Sequence, residues 1–224
     1  TVLSDILFNR LLELQPRDAS GGGDEDGAEA VTPESVASTY MEKILIRFED
    51  TIFDMYEVDQ ALEDEGKGPY QNVFIQECDA LNALLKEVNR TLQELNLGFA
   101  GELTMSSVME DLLNALYQDT VPTSWQRLAW PSLRPLGGWL ADLNRRLEQL
   151  QLWTEHPIDI PRSTWLGGLK NPQSFLTAIK QVAAQEDKLE LQKLVIFTDI
   201  LKKNADEIDA PAKVGALIHG LFLE

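Results

Sequence analysis

The chain of 224 residues is poor in the side chains that carry most protein chemistry: one cysteine, two histidines, and 19 Lys+Arg against 37 Asp+Glu. A single thiol, Cys78, excludes an internal disulfide and a cysteine-based zinc site, and suits a reducing compartment. His156 and His219 stand 63 positions apart and Cys78 is far from both, so no imidazole–thiolate ligand set is in register. The formal charge of −18 and the lack of a basic stripe make a poor ligand for nucleic acid or an anionic membrane surface. No apolar run approaches the ~18 residues that span a bilayer, and no signal-peptide pattern opens the sequence. Gly-Lys-Ser/Thr is missing too: Gly21–Gly27 supplies glycines but three acids and no lysine, a field that repels phosphate. Gly66-Lys67-Gly68-Pro69 is too short for a cradle and reads as a turn. No Gly-x-Ser-x-Gly elbow is present, so a hydrolase using His156 or His219 as base has little to stand on. These absences leave no catalytic, cofactor-binding or metal-ligating residue to nominate.

What the sequence has is apolar periodicity. A length of 224 residues suffices to bury a core, roughly 70% of the unfolded surface. Val2, Leu3, Ile6, Leu7, Leu11 and Leu14 predict a helix that Pro16 ends, followed by a mobile acidic linker over 21–27. Thr32-Pro33 offers a cap and first-turn proline for a helix to about Ile46. Residues 47–68 are less regular: a short apolar piece (Ile52, Phe53, Met55, Tyr56, Val58), then an acidic turn around Glu63–Gly66. Phe74, Cys78, Leu81, Leu85, Val88, Leu92 and Leu95, spaced 4, 3, 4, 3, 4, 3, hold one seam for three heptads until Gly98. A second seam carries Leu136, Leu140, Leu143, Leu147, Leu150 and Trp153. Between them, a helix over about 107–118 carries a capping box of Ser107 and Glu110, and Thr123 with Gln126 forms another. The two seams are expected to face each other in a helical bundle; the rival reading is an acidic adaptor that offers the 74–95 seam to a partner helix.

Beyond His156-Pro157 the texture changes. Ile158-Asp159-Ile160 alternates, Trp165–Gly168 reads as a bend, and Asn171-Pro172 caps a helix to about Gln185. Leu194–Phe197 and Leu217-Ile218 predict strands around a polar stretch at Lys202-Lys203-Asn204. Helices first and strands later define a mostly helical α+β class whose strand part is unfinished, since two strands alone are marginal. The first residue is Thr and the last are Leu221-Phe222-Leu223-Glu224, which reads as an excerpt of a longer polypeptide. Five tryptophans (Trp125, Trp130, Trp139, Trp153, Trp165) fall within 41 residues, with Pro122, Pro131 and Pro135 among the first three. They read as a proline-ordered corner that locks helices, or as a docking surface for a neighbouring domain.

Several of these runs are more specific than their physics. Val121-Pro122-Thr123-Ser124-Trp125, Pro131-Ser132-Leu133, Trp165 through Ala178 (Trp-Leu-Gly-Gly-Leu-Lys-Asn-Pro-Gln-Ser-Phe-Leu-Thr-Ala), and Gly215 to Glu224 resemble the C-terminal region of dynein heavy chains. Leu12–Asp18 and Gly101-Glu102-Leu103 are similar to axonemal chains of the outer-arm beta type. Leu169-Lys170 departs from the family, where aromatics are usual, and the acidic glycine linker is individual. The resemblance implies an ATP-driven, minus-end-directed microtubule motor of ciliary and flagellar axonemes. Its ATP and Mg would be held in AAA+ modules outside this segment, and the microtubule gripped by a stalk that is absent here. Intermediate chains, light chains and other heavy chains would complete the complex. This segment would be non-catalytic and mechanical, bracing neighbouring AAA+ modules. By that resemblance residues 1–30 are a leading helix and linker, 31–155 the helical layer, and 156–224 the first strands of an incomplete C-terminal β-barrel.

Overall fold

A computed structural model describes residues 32–48, 51–63 and 67–220. The expected helix over 2–14, the glycine linker at 21–27, most of the acidic turn at 63–66 and the end at Leu221–Glu224 lie outside the described residues. The described part is mostly helical, with one two-stranded sheet. It divides into two compact units: one gathers the residues up to Ile52 with Ala83–Asn144, the other Phe53–Asn82 with the residues from Arg145 onward.

Seven α-helices are present among the described residues: α1 Pro33–Phe48, α2 Met55–Ala61, α3 Pro69–Phe99, α4 Ser107–Tyr117, α5 Thr123–Gln126, α6 Leu136–Thr154 and α7 Pro172–Asp187. In the first unit, Thr32 Oγ1 accepts the Ser35 amide at 3.2 Å and Pro33 occupies the first turn, so α1 starts where the sequence places it. Its spacing of 4, 3 and 4 puts Ala37, Met41, Ile44 and Phe48 on one buried face. That face packs on α4, which buries Met109, Leu112 and Leu116. In the second unit, Asp54 caps α2 by accepting from the Tyr56 and Glu57 amides.

All seven residues of the α3 seam and all six of the α6 seam are buried. In the second unit the seams meet where Phe74 stacks on Trp153, centroids 5.1 Å apart, with Phe175 of α7 edge-on to Phe74 at 6.0 Å. Asn82, buried farther along α3, accepts the Phe53 amide at 2.8 Å and donates to the Phe53 carbonyl at 2.9 Å, which satisfies both ends of its amide. In the first unit, Trp125 donates its indole N–H to Thr91 of α3 at 2.9 Å. Its ring stacks on Trp139 at 5.9 Å, and Trp139 stacks on Trp130 at 5.2 Å. Four of the five tryptophans are buried and Trp165 is half-buried, so the corner locks helices.

Local details differ from the sequence reading. Gly98 does not stop α3; the helix runs to Phe99, and Gly101 turns the backbone at φ 76°, letting the Glu102 and Leu103 amides both donate to the Leu97 carbonyl. The α4 box is made by Ser106 and Met109 rather than Ser107 and Glu110, because Ser106 is the residue with extended backbone. Thr123 caps nothing: Pro122 holds the cap position, and Gln126 donates to the Val121 carbonyl at 2.8 Å. Asn171 does cap α7, accepting the Ser174 amide at 3.3 Å.

The sheet also differs. Strands β1 (Thr164–Trp165) and β2 (Ile218–His219) pair in parallel, Thr164 opposite Ile218 and Trp165 opposite His219. Leu194–Phe197 is not a strand: no described backbone pairs with it, and Val195 is 70% and Phe197 90% exposed. Apolar β-formers alone do not make a strand without a ladder partner.

The α3 terminus generates one prediction. Gly101→Ala places a Cβ in the left-handed region and should lower stability by about 1–2 kcal/mol. A urea titration checks this through a lower midpoint at an unchanged slope.

Candidate functional site

The stretch that is most distinctive in sequence, Trp165 through Phe175, forms a corner in the second unit: β1, a single 3-10 turn over Leu166–Gly168, and the start of α7. Its backbone is held by side chains of the two long helices. Glu77 of α3, only 5% exposed, accepts the Lys170 amide at 2.6 Å and the Asn171 amide at 2.8 Å. Those donors lie immediately before α7, where a carboxylate also faces the positive end of the helix. Gln149 of α6 grips Trp165 at both polar groups, accepting from its amide at 2.7 Å and donating to its carbonyl at 3.4 Å. Arg146 donates Nη2 to the Gly167 carbonyl at 2.9 Å.

The Trp165 ring completes the corner. The guanidinium carbons of Arg145 and Arg146 lie 4.4 and 5.2 Å from its centroid, within cation–π range. Beneath it the glycines are a steric requirement. A Cβ on Gly168 would come within 2.3 Å of ring atom Cε3, and one on Gly220 within 2.4 Å of Cδ1. Gly220 also sits at φ 75°. Tethers to β2 come from the Thr164 amide, which donates to Leu217 O at 2.9 Å, and from Ser163 Oγ, 3.2 Å from His219 Nδ1.

The residues weighed for chemistry are not brought together. Cys78 is buried in the α3 seam, and burial, reinforced by the Asp79 and Glu77 carboxylates, pushes its thiol well above the usual range. That disfavours the thiolate needed for nucleophilic or metal-binding work. His156 is exposed at the end of α6, whereas His219 is on β2 beside Ser163. Among the described residues no group of three or more His, Cys, Asp and Glu is placed to hold a metal, and no helix is long and apolar enough to cross a membrane. A shallow open cavity of about 420 Å³ lies between Lys67, Asn72 and Gln181, and Lys67 is paired with Asp59 at 2.8 Å. The 74–95 seam is buried inside the protein, so it offers no face to a partner helix. Sequence reasoning passed over Glu77, Gln149 and Arg146. A carboxylate directly beside the seam residue Cys78 was the one available sign.

What remains is a helical domain whose polar side chains hold its own backbone. The family model for the C-terminal domain of dynein heavy chains matches residues 1–224, and this protein belongs to that family. It is 45% identical over 99% of its length to "Dynein beta chain, flagellar outer arm" of Chlamydomonas reinhardtii. Identity is also 45%, over the whole sequence, to "Dynein axonemal heavy chain 9" of Homo sapiens, and 42% to "Dynein beta chain, ciliary" of Heliocidaris crassispina. The 224 residues span 5% of the length of each of these relatives.

Two predictions follow from the corner. Glu77→Ala leaves two backbone donors without their carboxylate and should cost about 2–3 kcal/mol, with Glu77→Gln costing less because one amide oxygen still accepts; chemical denaturation of the two variants checks the order. The second concerns alkaline pH. Tyr70 donates to the Gly215 carbonyl at 3.3 Å, and burial, with the Glu186 charge added, pushes its phenol from 10.0 up to about 12. The unfolded state loses this proton first, so the stabilisation is complete below pH 10.0 and is lost as pH rises through about 12. Urea midpoints should therefore fall across that interval, and Tyr70→Phe should reduce the slope.

Proposed function

We infer that this protein is a non-catalytic, mechanical segment of an axonemal outer-arm dynein heavy chain of the beta type. The parent is an ATP-driven, minus-end-directed microtubule motor of cilia and flagella. The observation that carries the reading is the match over all 224 residues to the C-terminal domain family, with flagellar and ciliary beta chains among the relatives. The stapled corner supports the mechanical part: Glu77, Gln149 and Arg146 bind backbone atoms of one motif, which suits transmitting load better than binding a substrate.

On this reading, residues 31–155 are the helical layer that braces neighbouring AAA+ modules, and ATP and Mg act in those modules. Residues 156–224 begin a small β-barrel. The exposed apolar side chains of Val195, Phe197 and Ile200 support that assignment, because a barrel wall would cover them. Other heavy chains, intermediate chains and light chains of the axonemal complex are the partners, and the microtubule is reached only through the stalk of the parent polypeptide.

The test is made in the intact motor. Gln149→Ala removes both hydrogen bonds to the Trp165 backbone. It should leave ATP affinity unchanged while slowing microtubule gliding at least about twofold, each tenfold of rate being about 1.4 kcal/mol. An unaltered gliding velocity overturns the bracing role. Micromolar ATP binding to the 224-residue segment alone, read by calorimetry, overturns the non-catalytic one.

A further inference from the structure

The cap of α4 uses a thioether where a carboxylate or carboxamide is ordinary. Ser106 Oγ accepts the Met109 amide at 3.4 Å, and Met109 Sδ accepts the Ser106 amide at 3.4 Å. The bond to Ser106 Oγ is long and sulfur is a weak acceptor, so this start is held more loosely than a Ser–Glu box would hold it. The same side chain and that of Met105 lie against Gly98 in the last turn of α3. A Cβ on Gly98 would come within 2.6 Å of Met109 Cε and 2.8 Å of Met105 Sδ. Only the missing side chain of Gly98 makes room for the two thioethers. They sit at the end of a helix whose terminal carbonyls carry partial negative charge. Met109 is buried and Met105 half-buried, so a small oxidant meets Met105 first.

We propose that Met105 and Met109 form an oxidation-sensitive latch: conversion of these thioethers to sulfoxides by a hydroperoxide releases the N-terminus of α4 and loosens its packing on α1. The thioether sulfur attacks one peroxide oxygen, a sulfur–oxygen bond forms, and the oxygen–oxygen bond breaks. Sulfur loses two electrons, and the departing hydroxide takes up the proton of the transferred oxygen, so that hydrogen peroxide is reduced to water. The new oxygen acts in two ways. It adds an atom where the space fits only because Gly98 has no Cβ, and it sets a negative dipole end beside the carbonyls that end α3. At Met109 the change also replaces the sulfur that accepts the Ser106 amide with an oxygen one bond farther out, which shifts the geometry of the cap. A thiol-dependent methionine sulfoxide reductase reverses the step.

The molecule has its own control. Of its four methionines, Met55 is half-buried on α2 and takes no part in the cap, whereas Met41 is buried on the α1 face that packs on α4. The experiment uses the intact dynein that contains this segment, titrated with hydrogen peroxide, with sulfoxides located by peptide mass spectrometry and amide exchange followed over 105–117. The expected result is oxidation of Met105 before Met109, and exchange of the α4 amides accelerated at least about threefold. Reductase treatment should restore the original rate. A Met105→Leu/Met109→Leu variant, which keeps the apolar packing, should show no acceleration even when Met55 is oxidised. Unchanged α4 exchange in molecules oxidised at both positions overturns the proposal. So does an equal acceleration in the double variant.

Discussion

A long helix with one apolar face stays out of water only if other segments cover that face along its length, and α3 imposes this condition on both units. Its heptad spacing fixes which residues need covering, and each unit meets the demand with aromatic rings. In one, Trp125 reaches Thr91 and stacks on Trp139; in the other, Phe74 is flanked by Trp153 and Phe175. Aromatic rings bury large areas with little rotamer entropy to lose, which suits a brace more than a surface that must adapt to partners. Three polar side chains of α3 follow the same logic. Asn82, Thr91 and Glu77 sit in or beside the α3 seam, and each is satisfied by hydrogen bonds within its own unit.

Much of this is legible in the sequence because helices advertise themselves by period. The α1, α3, α6 and α7 segments, the buried faces of α3 and α6, the Thr32-Pro33 start and the Asn171 cap all follow from spacing and cap chemistry. Cap register is less legible. Ser106 and Ser107 are chemically identical, and backbone dihedrals decide which one accepts. Gly98 reads as a stop because a glycine inside a helix and one just past its end look alike until a neighbour claims the missing side chain. Composition suggests a strand at Leu194–Phe197, but strands are defined by pairing, which composition does not encode.

The corner around Trp165 is recognisable by its motif, yet the residues that hold it are not. Glu77 and Gln149 read as polar positions on helices, two among many, and only the fold shows that they meet backbone 93 and 16 positions away. Side chains that accept from or donate to a distant main chain leave no local pattern. A protein can therefore be assigned to a family on its bends and prolines while the groups that fix those bends stay hidden.

The contact between the Trp165 ring and two glycines has a consequence for how such domains diverge. The indole fills the volume that side chains at positions 168 and 220 would occupy, so those three positions form one steric unit across 55 residues of sequence. A larger residue at 168 is admissible only with a smaller one at 165, and one at 220 must also bear a left-handed backbone, which predicts correlated replacement at 165 and 168 among descendants of this protein. The same ring lies beside two guanidinium groups and the short parallel pairing, so its fluorescence can report whether that pairing is intact.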